Sequence, residues 1–306
     1  MGKELKNEFS WSKSRHDTFH ECHRKYFFQY YGSWGGWNRD ASPRARELYV
    51  LKNLDSRFTW AGRRVHSCIE SILKQLKTGG ELPAEAVTVE GLLQQMREDF
   101  KQSRAGAYRQ NPKKACGFFE HEYEAEVPND EWKRIAEKSA ACVRAFYASP
   151  LLEKIRKLPE EDWLEIEEFS GFVLDGLRVF VQLDFAFKEN DHICIYDWKT
   201  GKPDAQQNEI QLACYVLYAV DKWKISPELV SATALYLPDG TEIQGRIDAE
   251  RLETMKEFIR ESAEEMLFPL ADPQNNVPDE EDVFEFADDP RACKRCNFLK
   301  VCPKWQ

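Results

Sequence analysis

Asp184 and the tripeptide Asp197-Trp198-Lys199 carry the clearest chemistry in the chain. Asp184 sits inside an apolar run, Val179–Phe187, and Asp197 lies near the end of the next one. The two carboxylates are 13 residues apart, and Glu189-Asn190-Asp191 falls midway between them. A hairpin turning there sets both acids at adjacent positions on neighbouring strands. Close carboxylates repel each other, and they persist where a cation joins them. Oxygen ligands so arranged suit Mg²⁺ or Mn²⁺. Lys199 follows Asp197 by two residues, so both point to one face of a strand. An ammonium beside a divalent ion orients water and stabilises charge building on a phosphate. Taken alone, Asp-x-Lys also fits a buried ion pair.

Two helical pairs add to this. His66 and Glu70 are four residues apart and share one helix face. His66 offers an imidazole nitrogen to the metal, the other reading being a histidine at an amphipathic boundary. Gly62 lets that helix approach a neighbour closely. Gln211 and Tyr215 share a face of the helix after Lys199-Thr200-Gly201, where an amide and a phenol can bind a phosphodiester or position Lys199. Ordinary helix–sheet packing is the alternative for that pair.

A third pattern is Cys293-x2-Cys296-x5-Cys302, in a short tail with little core of its own. Such a tail is usually held by a metal, and three thiolates leave one position short of four. Of the nine cysteines, Cys68, Cys194 and Cys214 lie in apolar runs and read as core, and Cys116 and Cys142 join no motif. The odd count and the charged start Met1-Gly2-Lys3-Glu4-Leu5-Lys6 argue against a disulfide framework and against export. They point to a reducing, cytoplasmic setting.

The elements that must position these groups follow from periodicity. A helix is predicted over 10–31, capped by Ser10 or Ser12, with Phe19, Cys22, Tyr26 and Tyr30 on one face. Another covers 61–77, with Val65, Ile69, Ile72, Leu73 and Leu76 as its buried stripe. Residues 85–158 are helical and charged, and 78–160 reads as a helical insertion covering a sheet or a substrate channel. Leu164–Leu174, Leu177–Phe187 and His192–Trp198, split by Asp175-Gly176 and Glu189-Asn190-Asp191, form an antiparallel meander. A helix over 205–222, strands at Leu229–Leu237 and Thr241–Gly245, and a helix over 248–268 follow. Residues 269–290, with Asp279, Glu280, Glu281 and Asp282 in a row, read as an acidic surface linker. Residues 1–306 thus make one α/β domain, a central mixed sheet flanked by helices.

The net charge is −10, yet residues 1–77 carry 15 lysines and arginines against 8 acids. That asymmetry is compatible with a basic binding face on an acidic body. No apolar run reaches the length of a membrane span. No G-x-x-x-x-G-K-[ST] motif occurs, so any unwinding must come from a partner such as a helicase.

Gly62-x-x-x-His66, Asp184, Asp197-Trp198-Lys199-Thr200-Gly201 and Gln211-x-x-x-Tyr215 occur in the order and approximate spacing of RecB-like nucleases, and the chain resembles that branch of the PD-(D/E)XK superfamily. The resemblance covers most of the chain outside 78–160. It implies a restriction-endonuclease-like fold, His66, Asp184 and Asp197 as metal ligands, and Lys199 as the catalytic lysine. It implies that Gln211 and Tyr215 complete the site. Glu70, one turn from His66, is expected to support the site from behind the ligands. One position departs: relatives usually carry glycine three residues before the first Asp, where this chain has Val181. Cys22 with its following Lys25-Tyr26-Phe27, and the distal cysteines, resemble the iron–sulfur nucleases of the same superfamily, among them the AddB nuclease domain and CRISPR-associated adaptation nucleases. That implies a [4Fe–4S] cluster on Cys22, Cys293, Cys296 and Cys302, with the 288–306 module docked on the N-terminal helix. Zinc, with His20 or His23 beside Cys22, is the competing occupant.

The resulting expectation is a Mg²⁺- or Mn²⁺-dependent DNA nuclease, an exonuclease or end-processing enzyme serving DNA repair, CRISPR adaptation or antiphage defence. A non-catalytic DNA-end-binding subunit and an iron–sulfur redox sensor are the alternatives.

Overall fold

Asp175 and Gly176 both take positive φ, 49° and 87°, as a tight hairpin turn demands. They fold β1 (Trp163–Leu174) back onto β2 (Leu177–Glu189). Asn190, at φ 55°, helps turn the chain into β3 (His192–Lys199). The structure is a computed structural model and describes residues 5–203, 205–245 and 247–305. The charged start Met1–Glu4 lies outside the described residues.

From β3 the chain crosses over through helix α9 (Ala205–Trp223) to β4 (Val230–Tyr236), which pairs parallel with β3, and β5 (Thr241–Gly245) pairs antiparallel beyond it. The sheet therefore runs β1-β2-β3-β4-β5 and is mixed. Alternation along β3 sends Ile193 and Ile195 to one face, and Cys194 and Trp198 to the other. The first face packs on α9, on α10 (Ala249–Leu267) and on Phe19 of α1 (Lys13–Glu21). The second packs on α4 (Arg57–Lys77), α5 (Glu85–Arg104), α7 (Asn129–Ala148) and α8 (Pro150–Ile155). Each large apolar side chain buried in these layers contributes about 1.5–3 kcal/mol. A short turn of helix, α6 (Phe119–Glu122), joins α5 to α7.

The structure differs from the sequence expectation at two places. The helix over 10–31 is not continuous. α1 ends at Cys22, which is extended at φ −170°, and α2 (His23–Phe27) restarts with the Cys22 Sγ accepting from Lys25 N at 3.4 Å. A π-turn over Phe28–Gly32 and α3 (Pro43–Lys52) follow. The apolar spacing continues through the break, so periodicity cannot reveal it.

The acidic stretch after 269 is also more than a surface linker. It holds a hairpin of β6 (Leu270–Asp272) and β7 (Val277–Pro278), and it buries Phe284 completely. The Phe284 ring sits 5.0 Å from Phe27 and 6.0 Å from Tyr31. Arg24 ties the same stretch down, its Nε donating to Phe284 O at 2.9 Å and its guanidinium pairing with Glu281 at 3.1 Å. The chain then ends in α11 (Pro290–Cys293) and two short turns, with Phe298 buried 5.3 Å from Phe28. Among the described residues no helix is long and apolar enough to cross a membrane.

Candidate active site

Strand register builds the site. Across β1 and β2, Ile166 faces Phe185 and Glu168 faces Leu183, so Glu167 stands opposite Asp184. Across β2 and β3, Phe185 faces Tyr196, and the next step sets Asp184 opposite Asp197. Three carboxylates thus form one row across three strands. Asp184 and Asp197 are 5% and 3% exposed. Like charges directly opposite one another destabilise a sheet, so this row asks for positive charge. Glu167 also takes φ 50°, left-handed backbone that costs an L-residue roughly 1–2 kcal/mol. Strain of this kind persists where the surroundings impose it, commonly at functional sites.

Positive charge arrives from both sides of the sheet. From α4, His66 Nδ1 lies 3.2 Å from Glu167 Oε1 and 3.3 Å from Asp184 Oδ1. Burial alone would lower the imidazole pKa, but Asp184 and then Glu167 outweigh it and raise the group to about 11. Asp184 moves up as well, to about 7, first through burial and then through Asp197, with His66 pulling the other way. Its Oδ2 is pinned by Trp198 N at 2.6 Å, which leaves Oδ1 turned toward His66.

α9 holds the other acid. Asp197 Oδ1 accepts from Tyr215 OH at 2.8 Å and from Gln211 Nε2 at 2.9 Å. The other end of the Gln211 amide accepts from Lys199 Nζ at 2.8 Å. Lys199 Nζ is also in ion-pair contact with Asp197 Oδ2 at 2.6 Å. That ammonium is the charge partner of the buried Oδ2, which accepts no other hydrogen bond. Burial and Asp197 push the Tyr215 phenol well above its ordinary pKa, which keeps it a neutral donor.

His66, Asp184, Asp197, Lys199, Gln211 and Tyr215 all line one open cleft, together with Glu167. The donors suit a hard divalent ion. His66, Glu167 and Asp184 each present a ligand atom within 4.8 Å of the other two, and Asp197 Oδ2, next to them, is paired with the Lys199 ammonium. Gly62 lies where α4 passes the strand end, since a Cβ there would come 3.2 Å from Thr200 Oγ1. Glu70 lies elsewhere: one turn beyond His66, it pairs with Lys74 at 2.6 Å and does not line the cleft. Glu167 is the residue that sequence reasoning missed. Its only signal was three acids in four residues, Glu165, Glu167 and Glu168 around Ile166, which interrupt strand alternation.

A separate cavity is lined by Cys22, Cys293, Cys296 and Cys302, with Lys25, Phe28 and Lys304 among its other walls. Burial raises the Cys296 thiol to about 11, with Cys22 and Cys302 adding to the rise, and it raises Cys302 too. No three of the four thiols come within 4.8 Å of one another.

Residues 10–303 match the PD-(D/E)XK nuclease superfamily. The chain belongs to that superfamily, and thereby to the metal-dependent nucleases. Its mixed five-stranded sheet with flanking helices is the restriction-endonuclease-like fold of the group. Among solved structures, the crystal structure of SSO0001 is 16% identical over 68% of this chain and 84% of its own, with a TM-score of 0.30. No curated protein matches the sequence significantly.

Proposed function

We propose that the cleft hydrolyses DNA phosphodiester bonds, as an exonuclease or end-processing enzyme of the RecB-like type. The observation that carries this reading is the row Glu167–Asp184–Asp197, flanked by His66 and by a Lys199 ammonium held on Gln211. Asp184, Asp197 and His66, with Glu167 beside them, would hold Mg²⁺ or Mn²⁺. When bound, such an ion acidifies water and offsets charge on the phosphate.

The protein's own groups do the rest. Gln211 and Tyr215 fix one oxygen of Asp197, and the other, now paired with Lys199, is the one that would turn to the ion. Trp198 N does the same for Asp184. Gln211 holds Lys199 in place, so the ammonium donates to the attacking water or to a phosphate oxygen without first having to be ordered. The basic first 77 residues would meet the DNA backbone, where phosphate contacts give affinity without sequence information.

The four-cysteine cavity fits a [4Fe–4S] cluster on Cys22, Cys293, Cys296 and Cys302. Four thiolates also suit one zinc ion; the resemblance to the iron–sulfur nucleases favours the cluster. A nuclease of this composition serves DNA repair, CRISPR adaptation or antiphage defence, with a separate helicase where unwinding is needed.

The test is incubation with linear and circular DNA, single- and double-stranded, in Mg²⁺, Mn²⁺ or EDTA. Cutting in either metal and none in EDTA is expected. Intact DNA in every metal, from folded protein, would leave a DNA-end-binding subunit in place of an enzyme. Iron and sulfide analysis of the brown or colourless protein decides between cluster and zinc.

A further inference from the structure

A second groove, of about 590 Å³, lies apart from both sites, between the 37–41 loop and α3 on one wall and the 110–114 turn on the other. Its charge is one-signed. Arg39, Arg46, Lys113 and Lys114 line it and no carboxylate does, although the chain carries 53 acids. Among the described residues Arg39, Lys113 and Lys114 form no ion pair, so their charge is available to a ligand. Lys52 senses the same field from α3: burial first, then Lys113, push its ammonium down to about 8.

The groove is also aromatic and braced. Trp37, half-buried on the wall, meets Trp34 edge-on at 5.0 Å and Tyr49 at 5.8 Å. Arg46 ties the two walls together, donating to Gly36 O at 3.2 Å and to Gln110 O at 2.9 Å. At Gly36 a Cβ would come 2.3 Å from Ala45 O, so only glycine permits this approach of the loop to α3.

We propose that this groove binds single-stranded nucleic acid, with a base stacked on Trp37 and phosphates held by Arg39, Lys113 and Lys114. Aromatic platforms between cations are the general solution for unpaired strands, because every base offers a π-face and every link a phosphate. A duplex keeps its bases stacked inside and cannot offer one to Trp37. The cations stand on opposite walls, as a strand running between them requires, whereas a free nucleotide calls for donors converging on one phosphate group. The proposal rests on the DNA-cutting reading for the identity of its ligand, and the groove adds a contact away from the acid row.

The test uses the full chain in EDTA and a fluorescent thymidine strand of about 20 nucleotides, long enough to span such a groove. Anisotropy is read against salt concentration. Lys113→Glu with Lys114→Glu should weaken binding by about 10-fold or more, and should lower the salt slope by about 1.4, two contacts at about 0.7 each. Trp37→Ala should weaken binding by about 5-fold or more, with the slope kept. Affinity and slope unchanged in the double lysine variant overturn the groove. If the parent still cuts that strand in Mn²⁺, the nuclease reading survives alone. A strand held through the groove but never cut in Mg²⁺ or Mn²⁺ supports the groove and removes the nuclease reading. A loss confined to duplex DNA overturns the single-strand assignment.

Discussion

Glu167 shows what single residues hide. The period-two pattern that marks Asp184, Asp197 and Lys199 assumes regular strands, and the i, i+4 pattern that marks Gln211 and Tyr215 assumes a regular helix. Those residues do share the cleft. Glu167 sits where β1 leaves regular geometry, at φ 50°, and no strand pattern finds it. Glu70 shows how spacing alone does not fix a partner. It shares a helical spacing with His66 but belongs to Lys74. If Glu167 helps hold the ion, Glu167→Gln should weaken Mn²⁺ binding at least about 10-fold by calorimetry, and an unchanged affinity would place the ion out of its reach. The raised pKa of Asp184 makes a second prediction. Its folded value of about 7 exceeds the unfolded value of about 3.9, so the native carboxylate costs stability. That cost is absent below about pH 4, grows as pH rises, and is full above about pH 7. In EDTA, Asp184→Asn should therefore melt above the parent at pH 8, with the difference fading toward pH 4. Equal melting temperatures at pH 8 would show that His66 already compensates the charge.

At the scale of elements, hairpins and helices were legible because their signals are local: Asp175-Gly176 turns the chain, and the α4 stripe repeats every three or four residues. The parallel β3–β4 pairing follows from the α9 crossover between them. Two features were not local. The break at Cys22 depends on contacts with the C-terminal segment, where Arg24 N donates to Glu285 O at 2.9 Å. The acidic stretch is anchored in part by a buried aromatic, Phe284, whose acidic neighbours mask it in any window average. Phe284→Ala removes a fully buried ring and should cost about 3–5 kcal/mol. Limited proteolysis should then cut between 279 and 305 under conditions where the parent survives. Unchanged stability and an uncut tail would mean that Arg24 and Phe298 hold the segment without it.

On the scale of the whole molecule, the sheet carries the acid row, and Cys22 meets Cys293, Cys296 and Cys302 around one cavity. A cluster joining Cys22 to Cys293 closes a loop of 271 residues. By analogy with a disulfide, such closure is worth roughly 5–6 kcal/mol. If the cavity holds the proposed cluster, Cys22→Ala should abolish its visible colour and expose the tail to protease, while Cys68→Ala, a packing control, keeps the colour. Full iron and sulfide content in Cys22→Ala would confine the metal to residues 293–302. The central claim, however, concerns the cleft: Lys199 acts on the reacting groups and is not merely the ion-pair partner of Asp197. Single-turnover cutting of end-labelled linear DNA at saturating Mn²⁺, parent against Lys199→Ala, measures this directly. The site predicts a rate at least about 10²-fold lower, with Mn²⁺ affinity, DNA affinity and melting temperature close to the parent's. Cutting by Lys199→Ala at the parent's rate would contradict it.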